Sequence, residues 1–232
     1  MKIRTLLFTL AGLLCIFALI AVSLPSVAAA QVDTVTDSIK VLQDSMGAPD
    51  RGVPPSVLKA SRGLVIVPGI YNVAFLVGGR YGEGVVLVKN ARGGWSAPAL
   101  VSLAGGSAGA QAGVEKQDLI LVFMDEKPIQ DLLAKGSFTL GAEATAVAGP
   151  VQWGVGGATP SAEVLSYTRS KGVFAGAQFT GIDIDLDSSA TIQYYESPAA
   201  NPRAILEGKS VKMPPTAKEL QQVLQRYEAL AR

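Results

Sequence analysis

The chain has 232 residues, of which 20 are lysine or arginine, 19 are aspartate or glutamate and none is histidine. Without an imidazole there is no base for a Ser-His-acid nucleophile and no histidine ligand for zinc or copper. A net charge near zero supplies no overall field to hold nucleic acid.

The N-terminus reads as a secretory signal over residues 1–30. Lys2 and Arg4 form a charged start, Thr5 to Leu24 is apolar, and Ala28-Ala29-Ala30 offers a small-residue cleavage site before Gln31. The mature domain, 31–232, is then expected to be exported and periplasmic. Two alternatives stay open. An uncleaved anchor is one, because about 20 apolar residues can span a bilayer. A lipoprotein acylated on Cys15 is the other, although Leu14 before that cysteine and Ile16-Phe17 after it are not what acylation wants. Cleavage removes the only cysteine, two of the 20 basic residues and none of the 19 acidic ones, leaving a net charge of −1 and no disulfide.

Val35, Ile39, Leu42 and Met46 recur at spacings of four, three and four, which predicts one amphipathic helix over Asp33–Met46, ended by Gly47 and Pro49. It either docks on its own domain or lies on a membrane, and Lys40 is its only basic residue. Pro54-Pro55 opens a short helix to Ala60. Leu64–Val67 and Val73–Val77 read as separate strands about Pro68. Val85–Val88 and Ala99–Leu103 form a hairpin across Asn90–Gly94. From Ala108 to Gly113 the residues Gly109, Gln111 and Gly113 alternate with alanines, so a strand there is almost bare and needs a backbone or a ring close against it, with Trp95 the candidate ring. Leu119–Met124 is apolar on both faces and reads as a central strand. Glu126–Leu133 reads as a helix stopped at Lys135-Gly136. Phe138–Gly149 suits a small-residue strand or an alanine-rich helix. Val173–Phe179, Ile182–Leu186 and Thr191–Tyr195 read as strands, and Asn201 to Pro215 as loop-rich. A capping box of Thr216 and Glu219 starts a terminal helix carrying Leu220, Val223, Leu224 and Tyr227. No second core with its own linker is visible. The expected fold is therefore α+β: a single domain with a mainly antiparallel, glycine-rich sheet or barrel-like core over 53–195, flanked by N- and C-terminal helices, the latter over 216–231.

Few residues suggest chemistry. Gly105-Gly106-Ser107-Ala108-Gly109 matches the nucleophile-elbow spacing but has no histidine to serve it. Gly208-Lys209-Ser210 imitates the end of a phosphate loop, but Arg203 stands where the first glycine belongs. Asp183, Asp185 and Asp187 alternate with apolar residues, either as a solvated strand face or as oxygen ligands for calcium. Arg62, Arg80, Arg169 and Lys171 sit beside glycines or apolar runs. Tyr167–Gly172 mixes cations and hydroxyls in what reads as a loop for a phosphate, or as a solvated turn.

The segments PPSVLKASRGLVIVP, LVGGRYGEGVVLVK, GGWSAPALVSLAGGSAGAQAG, DLILVFM, FTLGAEATAVAGP, SYTRSKGVFAGAQFTG and the pair Tyr194-Tyr195 occur in the order found in the SYLF domain, which this chain resembles over about three fifths of its length. The resemblance implies a non-enzymatic, lipid-binding domain of the kind found in bacteria and in eukaryotic proteins of membrane and actin dynamics. On that footing the expected ligand is a phospholipid or membrane surface. Arg62, Arg80, Arg169 and Lys171 would meet anionic head groups, and Val35, Ile39 and Leu42 would insert. The alternative is a structural or protein-interaction module of the envelope, docking through glycine-rich sheet edges. No catalytic residue, cofactor, metal or nucleic-acid partner is expected.

Overall fold

The structure, a computed structural model, describes residues 27–48, 51–75, 77–107, 113–144, 146–149, 162–176 and 181–231. Most of the expected signal peptide, the small-residue run Ala108–Ala112 and Phe179 lie outside the described residues.

Helix α1 (Val27–Met46) and the short α2 (Pro55–Ala60) lead into the sheet. Its strands are β1 (Gly63–Phe75), β2 (Val77–Val88), β3 (Ala99–Ser107), β4 (Gly113–Phe123), β5 (Ser137–Leu140), β6 (Ala146–Ala148), β7 (Val164–Ser170), β8 (Val173–Gly176) and β9 (Ile182–Leu186). Helix α3 (Lys127–Lys135) connects β4 to β5, and α4 (Ser188–Tyr194), α5 (Pro202–Leu206) and α6 (Pro215–Glu228) follow β9. The strand order is β5-β9-β3-β2-β1-β4-β7-β6, with β8 paired to β7. All pairings among the described residues are antiparallel except that of β6 with β7. The sheet curls into a half-barrel, so the fold is α+β in one domain, as the residue pattern predicts.

Period-two alternation assigns each strand two faces. Val65, Val67, Val86, Val101, Leu103, Leu119, Leu121, Phe138 and Ile184 line one face and are buried there with Ile129 and Leu132 of α3. Leu64, Ile66, Val85, Leu87, Leu100, Ile120 and Val122 line the opposite face, covered by α1, α4 and α6. Each helix is held by a specific polar contact as well. Tyr195 Oη donates to the Pro98 carbonyl at 2.7 Å, and the Gln221 amide donates to the Trp95 and Ser96 carbonyls at 2.9 and 2.8 Å. Tyr227 Oη donates to the Ser45 carbonyl at 3.2 Å and to the Val53 carbonyl, tying α6 to the end of α1.

Several local expectations need correction. Leu64–Val67 and Val73–Val77 are not two strands: β1 runs through Pro68-Gly69 with a register shift against both β2 and β4. Gly69, at φ +61°, and Pro68, which needs no ladder donor, suit such a bulge. Phe138–Gly149 is neither one strand nor a helix but β5, a turn and β6. Thr191–Tyr194 belongs to helix α4 and Tyr195 caps its end, because Asp187 accepts from the Ala190 N–H at 2.8 Å and starts the helix. Asn201 caps α5 in the same way, inside the stretch expected to be loop. No capping box starts α6; Thr216 instead shares a hydrogen bond with Tyr194 Oη at 2.8 Å. Tyr167–Ser170 is not loop but the end of β7, and only Lys171-Gly172 turn. Trp95, the ring expected against the Ala108–Gly113 run, is covered by the Lys89 ammonium, 4.9 Å from its ring centre, and most of that run lies outside the described residues; elsewhere Tyr167 packs on a glycine, its Cζ 2.1 Å from where a Cβ on Gly149 would stand.

Candidate functional site

The β1 bulge opens a groove between α1 and the sheet. Gly69 turns at positive φ, which frees its N–H to donate to Asp118 Oδ1 at 2.9 Å. It also leaves no Cβ where the Lys116 stem passes, since one would sit 2.2 Å from Lys116 Cε. Thus supported, Lys116 lies over the Tyr71 ring, its Nζ 5.6 Å from the centroid.

One arm of the groove, about 310 Å³, is lined by Asp37, Lys40, Lys116, Asp118, Arg169 and Lys171. The other, about 350 Å³, is lined by Asp33, Asp37, Tyr71, Tyr81, Glu83 and Lys116. At its outer end Tyr71 of β1 stands opposite Tyr81 of β2, each 52% exposed. Tyr81 Oη donates to Glu83 Oε1 at 2.9 Å. The Tyr81 phenol is held above its ordinary value, first by burial, then by that hydrogen bond and by the negative charges of Glu83 and Asp187. The second arm is thus an aromatic patch in a negative field.

The residues expected to bind lipid do not all meet here. Arg169, Lys171 and α1 converge on the groove, whereas Arg62 lines a separate cavity of about 810 Å³ with Lys59, Lys89, Asn90, Gln130 and Glu228. Arg80 is half-buried on β2 opposite Asn72 and Gly105. Arg169 is already engaged: its Nε donates to Asp118 Oδ2 at 2.7 Å and its Nη1 meets Asp44 of α1. Its guanidinium loses some hydration, and the hydrogen bonds to Asp118 and Asp44 more than offset that and raise its pKa. Arg169 is therefore a strut between α1 and the sheet.

Val35, Ile39 and Leu42 are 0%, 4% and 0% exposed and belong to the core under α1. As folded, the stripe is used for packing, at about 1.5–3 kcal/mol per side chain, and inserting it into a membrane would require α1 to leave the domain. Nor do the three aspartates share a face. Asp183 and Asp185 are exposed on β9, while Asp187 caps α4. Among the described residues no helix is long and apolar enough to cross a membrane, and no three Asp, Glu or Cys side chains group as a metal site.

The sequence reading missed Tyr71, Tyr81 and Lys116. The signal was present: Tyr71 follows a Pro-Gly bulge in an apolar run, and Tyr81 is the one aromatic residue of its strand, set between Arg80 and Gly82.

Comparison with known proteins places these features in a family. The sequence model described as "Ysc84: Las17-binding protein actin regulator" matches residues 104–227. Protein YSC84 of Saccharomyces cerevisiae is 33% identical over 181 residues, 76% of this chain and 38% of that protein. SH3 domain-containing YSC84-like protein 1 of Xenopus laevis is 31% identical over 186 residues, 79% of this chain and 55% of that protein. LAS seventeen-binding protein 3 of S. cerevisiae is 32% identical over 181 residues, 76% of this chain and 39% of that protein. The chain thus spans between about two fifths and just over half of the length of these relatives. With its family model matching more than half of the chain, this protein belongs to the Ysc84 family of SYLF-domain proteins.

Proposed function

We propose that the chain is a non-enzymatic binding module that docks a partner protein on the helix-bearing face of its sheet, at the end left bare by the helices. The observation that carries this is the exposed cross-strand pair Tyr71 and Tyr81. Tyrosines offer large contact area at small entropic cost and are enriched at binding hot spots. They stand on paired strands, so the patch is rigid before a partner arrives. The names of relatives add support, since "Las17-binding" is printed for the family and "LAS seventeen-binding" for one S. cerevisiae protein. The test places a photo-crosslinking residue at Tyr71 or Tyr81 in the cell of origin, purifies the captured protein, and measures its affinity by calorimetry. Tyr71→Ser with Tyr81→Ser is expected to weaken that affinity at least about ten-fold, the scale of losing one interface hot spot. Unchanged affinity overturns the reading.

A membrane-surface reading is favoured by one observation: Lys40, Lys116 and Lys171 are all exposed and line the first arm of the groove. Each cation near an anionic surface is worth about 1 kcal/mol, so three give weak, salt-sensitive attachment. Asp37 and Asp118 in the same arm work against it. Co-sedimentation with anionic phospholipid vesicles at low salt tests this reading, and pelleting should fall on Lys40→Gln with Lys171→Gln. The chain is also proposed to be exported, with residues 1–30 removed. Since α1 begins at Val27, mass spectrometry finding Gln31 as the first residue would mean that the helix starts after the cut.

A further inference from the structure

The helix-bearing face of the sheet, past the helices, is mainly acidic. Its cross-strand rows follow from the pairing register. Lys116, Tyr71, Tyr81, Ala104, Asp183 and Thr139 form one row, and Glu83, Ser102, Asp185 and Ser137 form the next along β2, β3, β9 and β5. At about 4.8 Å per strand, Tyr71 and Asp183 are roughly 14 Å apart, a span that an extended peptide segment can bridge. Tyr81, Ala104, Asp183, Glu83 and Asp185 are all exposed. Asp33 and Asp37 of α1, also exposed, border the same Tyr81-Glu83 arm of the groove. Among the described residues, five carboxylates therefore frame the two rings, with the Lys116 ammonium at the Tyr71 edge.

That ammonium shows what the rings accept. Lys116 lies over Tyr71 in the chain's own fold, so a cation already occupies one ring, while no cation among the described residues lies over Tyr81, beside Glu83. Glu83 accepts one hydrogen bond from Tyr81, and Asp183 accepts one from Thr139 Oγ1 at 2.6 Å. Both carboxylates are thereby oriented and keep lone pairs for further donors. Guanidinium groups fit this combination, because they stack on aromatic faces and fork onto carboxylates together.

Resting on the protein-docking reading above, we infer that the partner segment seated on this face is cationic, an arginine-rich or lysine-rich stretch whose side chains stack on Tyr81 and pair with Glu83, Asp183 and Asp185. The five carboxylates exclude an acidic segment and an anionic lipid surface from the same face, since like charges placed together without counterions repel.

The test uses the chain from Gln31 to Arg232 and a labelled, end-capped oligoarginine peptide, with oligoglutamate of equal length as the comparison, followed by fluorescence anisotropy over a salt series. Oligoarginine is expected to bind, and oligoglutamate not to. The combined variant Glu83→Gln, Asp183→Asn and Asp185→Asn keeps side-chain shape and should weaken oligoarginine binding at least ten-fold at low salt. Lys116→Glu should strengthen it. Glu126→Gln, which borders the other cavity, should leave it unchanged. The inference fails if oligoarginine does not bind, or if the triple variant or Lys116→Glu leaves its affinity where it was. The two readings separate cleanly. A purified partner that loses affinity on Tyr71→Ser with Tyr81→Ser but not on the carboxylate triple variant keeps the docking site and removes its cationic ligand. Anionic vesicles that compete with oligoarginine for the face also count against the inference.

Discussion

The Lys89 ammonium lies 2.5 Å from the Glu228 carboxylate, and the two side chains are only 8% and 17% exposed. This pair joins the strand-β2 end of the sheet to the last residue of α6. Lys89 also donates to the carbonyls of Leu58 and Lys59, each at 2.8 Å, and its charge sits over Trp95. The ammonium therefore has several partners and the carboxylate essentially one. Removing one member of a buried pair strands the other at a cost of about 3–5 kcal/mol. Glu228→Gln should cost less, about 1–2 kcal/mol, because Lys89 keeps two carbonyls and a ring. Lys89→Met, which leaves a bare carboxylate and takes a donor from the Lys59 carbonyl while Leu58 still accepts from Ser61, should cost at the upper end of the range. Urea unfolding of the two variants checks the order, and equal losses would mean that the carbonyls and the ring add nothing.

Glycines in this sheet divide into two kinds, and the division is testable. A Cβ on Gly84 would sit 2.2 Å from the Ile66 carbonyl oxygen and 2.9 Å from Val67 Cα, so main chain would have to move. On Gly79 and Gly106 a Cβ would meet nothing within 4 Å. Gly84→Ala should therefore unfold the domain or cost more than about 3 kcal/mol. Gly79→Ala and Gly106→Ala should be neutral or gain up to about 1 kcal/mol by restricting the unfolded chain. Thermal melts of the three decide it, and a tolerated Gly84→Ala would show that β1 and β2 do not need their close approach.

What could be read before the fold was seen follows from which signals are local. The stripe of Val35, Ile39 and Leu42 announces a helix because its period is set by backbone geometry alone, and the apolar run Leu119–Met124 announces a central strand for the same reason. Which surface the stripe covers is a tertiary matter, and it covers the sheet. Asp187 was read with the strand before it, although its side chain serves the helix after it, since an alternating acidic run and an N-cap look alike until the chain turns. Arg169 carried no sign that Asp44 and Asp118, 125 and 51 residues away in sequence, would claim it. The groove was invisible for a further reason. It is made by a bulge at Pro68-Gly69, and that pair read as a strand end.

Lys171 takes φ of +51° and Gly172 +80°, the pattern of a tight turn with two left-handed residues between β7 and β8. Lysine has a Cβ and pays about 1 kcal/mol there. Lys171→Gly or Lys171→Asn should thus leave stability unchanged or raise it by up to about 1 kcal/mol. Arg169→Ala should lower it by about 1–3 kcal/mol, because Asp44 and Asp118 each lose their cation, Asp118 keeping the Gly69 N–H, and α1 loses its strut. Chemical denaturation separates the two neighbours. Matching effects would place Arg169 among the surface cations and free it for a ligand.

Four of the six tyrosines are buried, and their phenols make the domain sensitive to alkali. Burial is the main cause in each: Tyr194 is pushed up to about 12, and Tyr167, Tyr195 and Tyr227 are raised as well. The unfolded chain gives up these protons near pH 10 while the folded chain keeps them, so the folded state binds more protons above that value. Stability is then full below about pH 10 and falls as pH rises toward the folded values, by up to about 1.4 kcal/mol per pH unit for each group. Tyr195→Phe isolates one of them. It loses the hydrogen bond to the Pro98 carbonyl and should be about 1 kcal/mol less stable than the parent at neutral pH. It also removes one proton from the balance, so its stability should fall less steeply above pH 10 and the two curves should converge. Urea titrations at pH 8, 10 and 11 measure this, and parallel curves would mean that Tyr195 ionises in the folded protein as readily as in the unfolded chain.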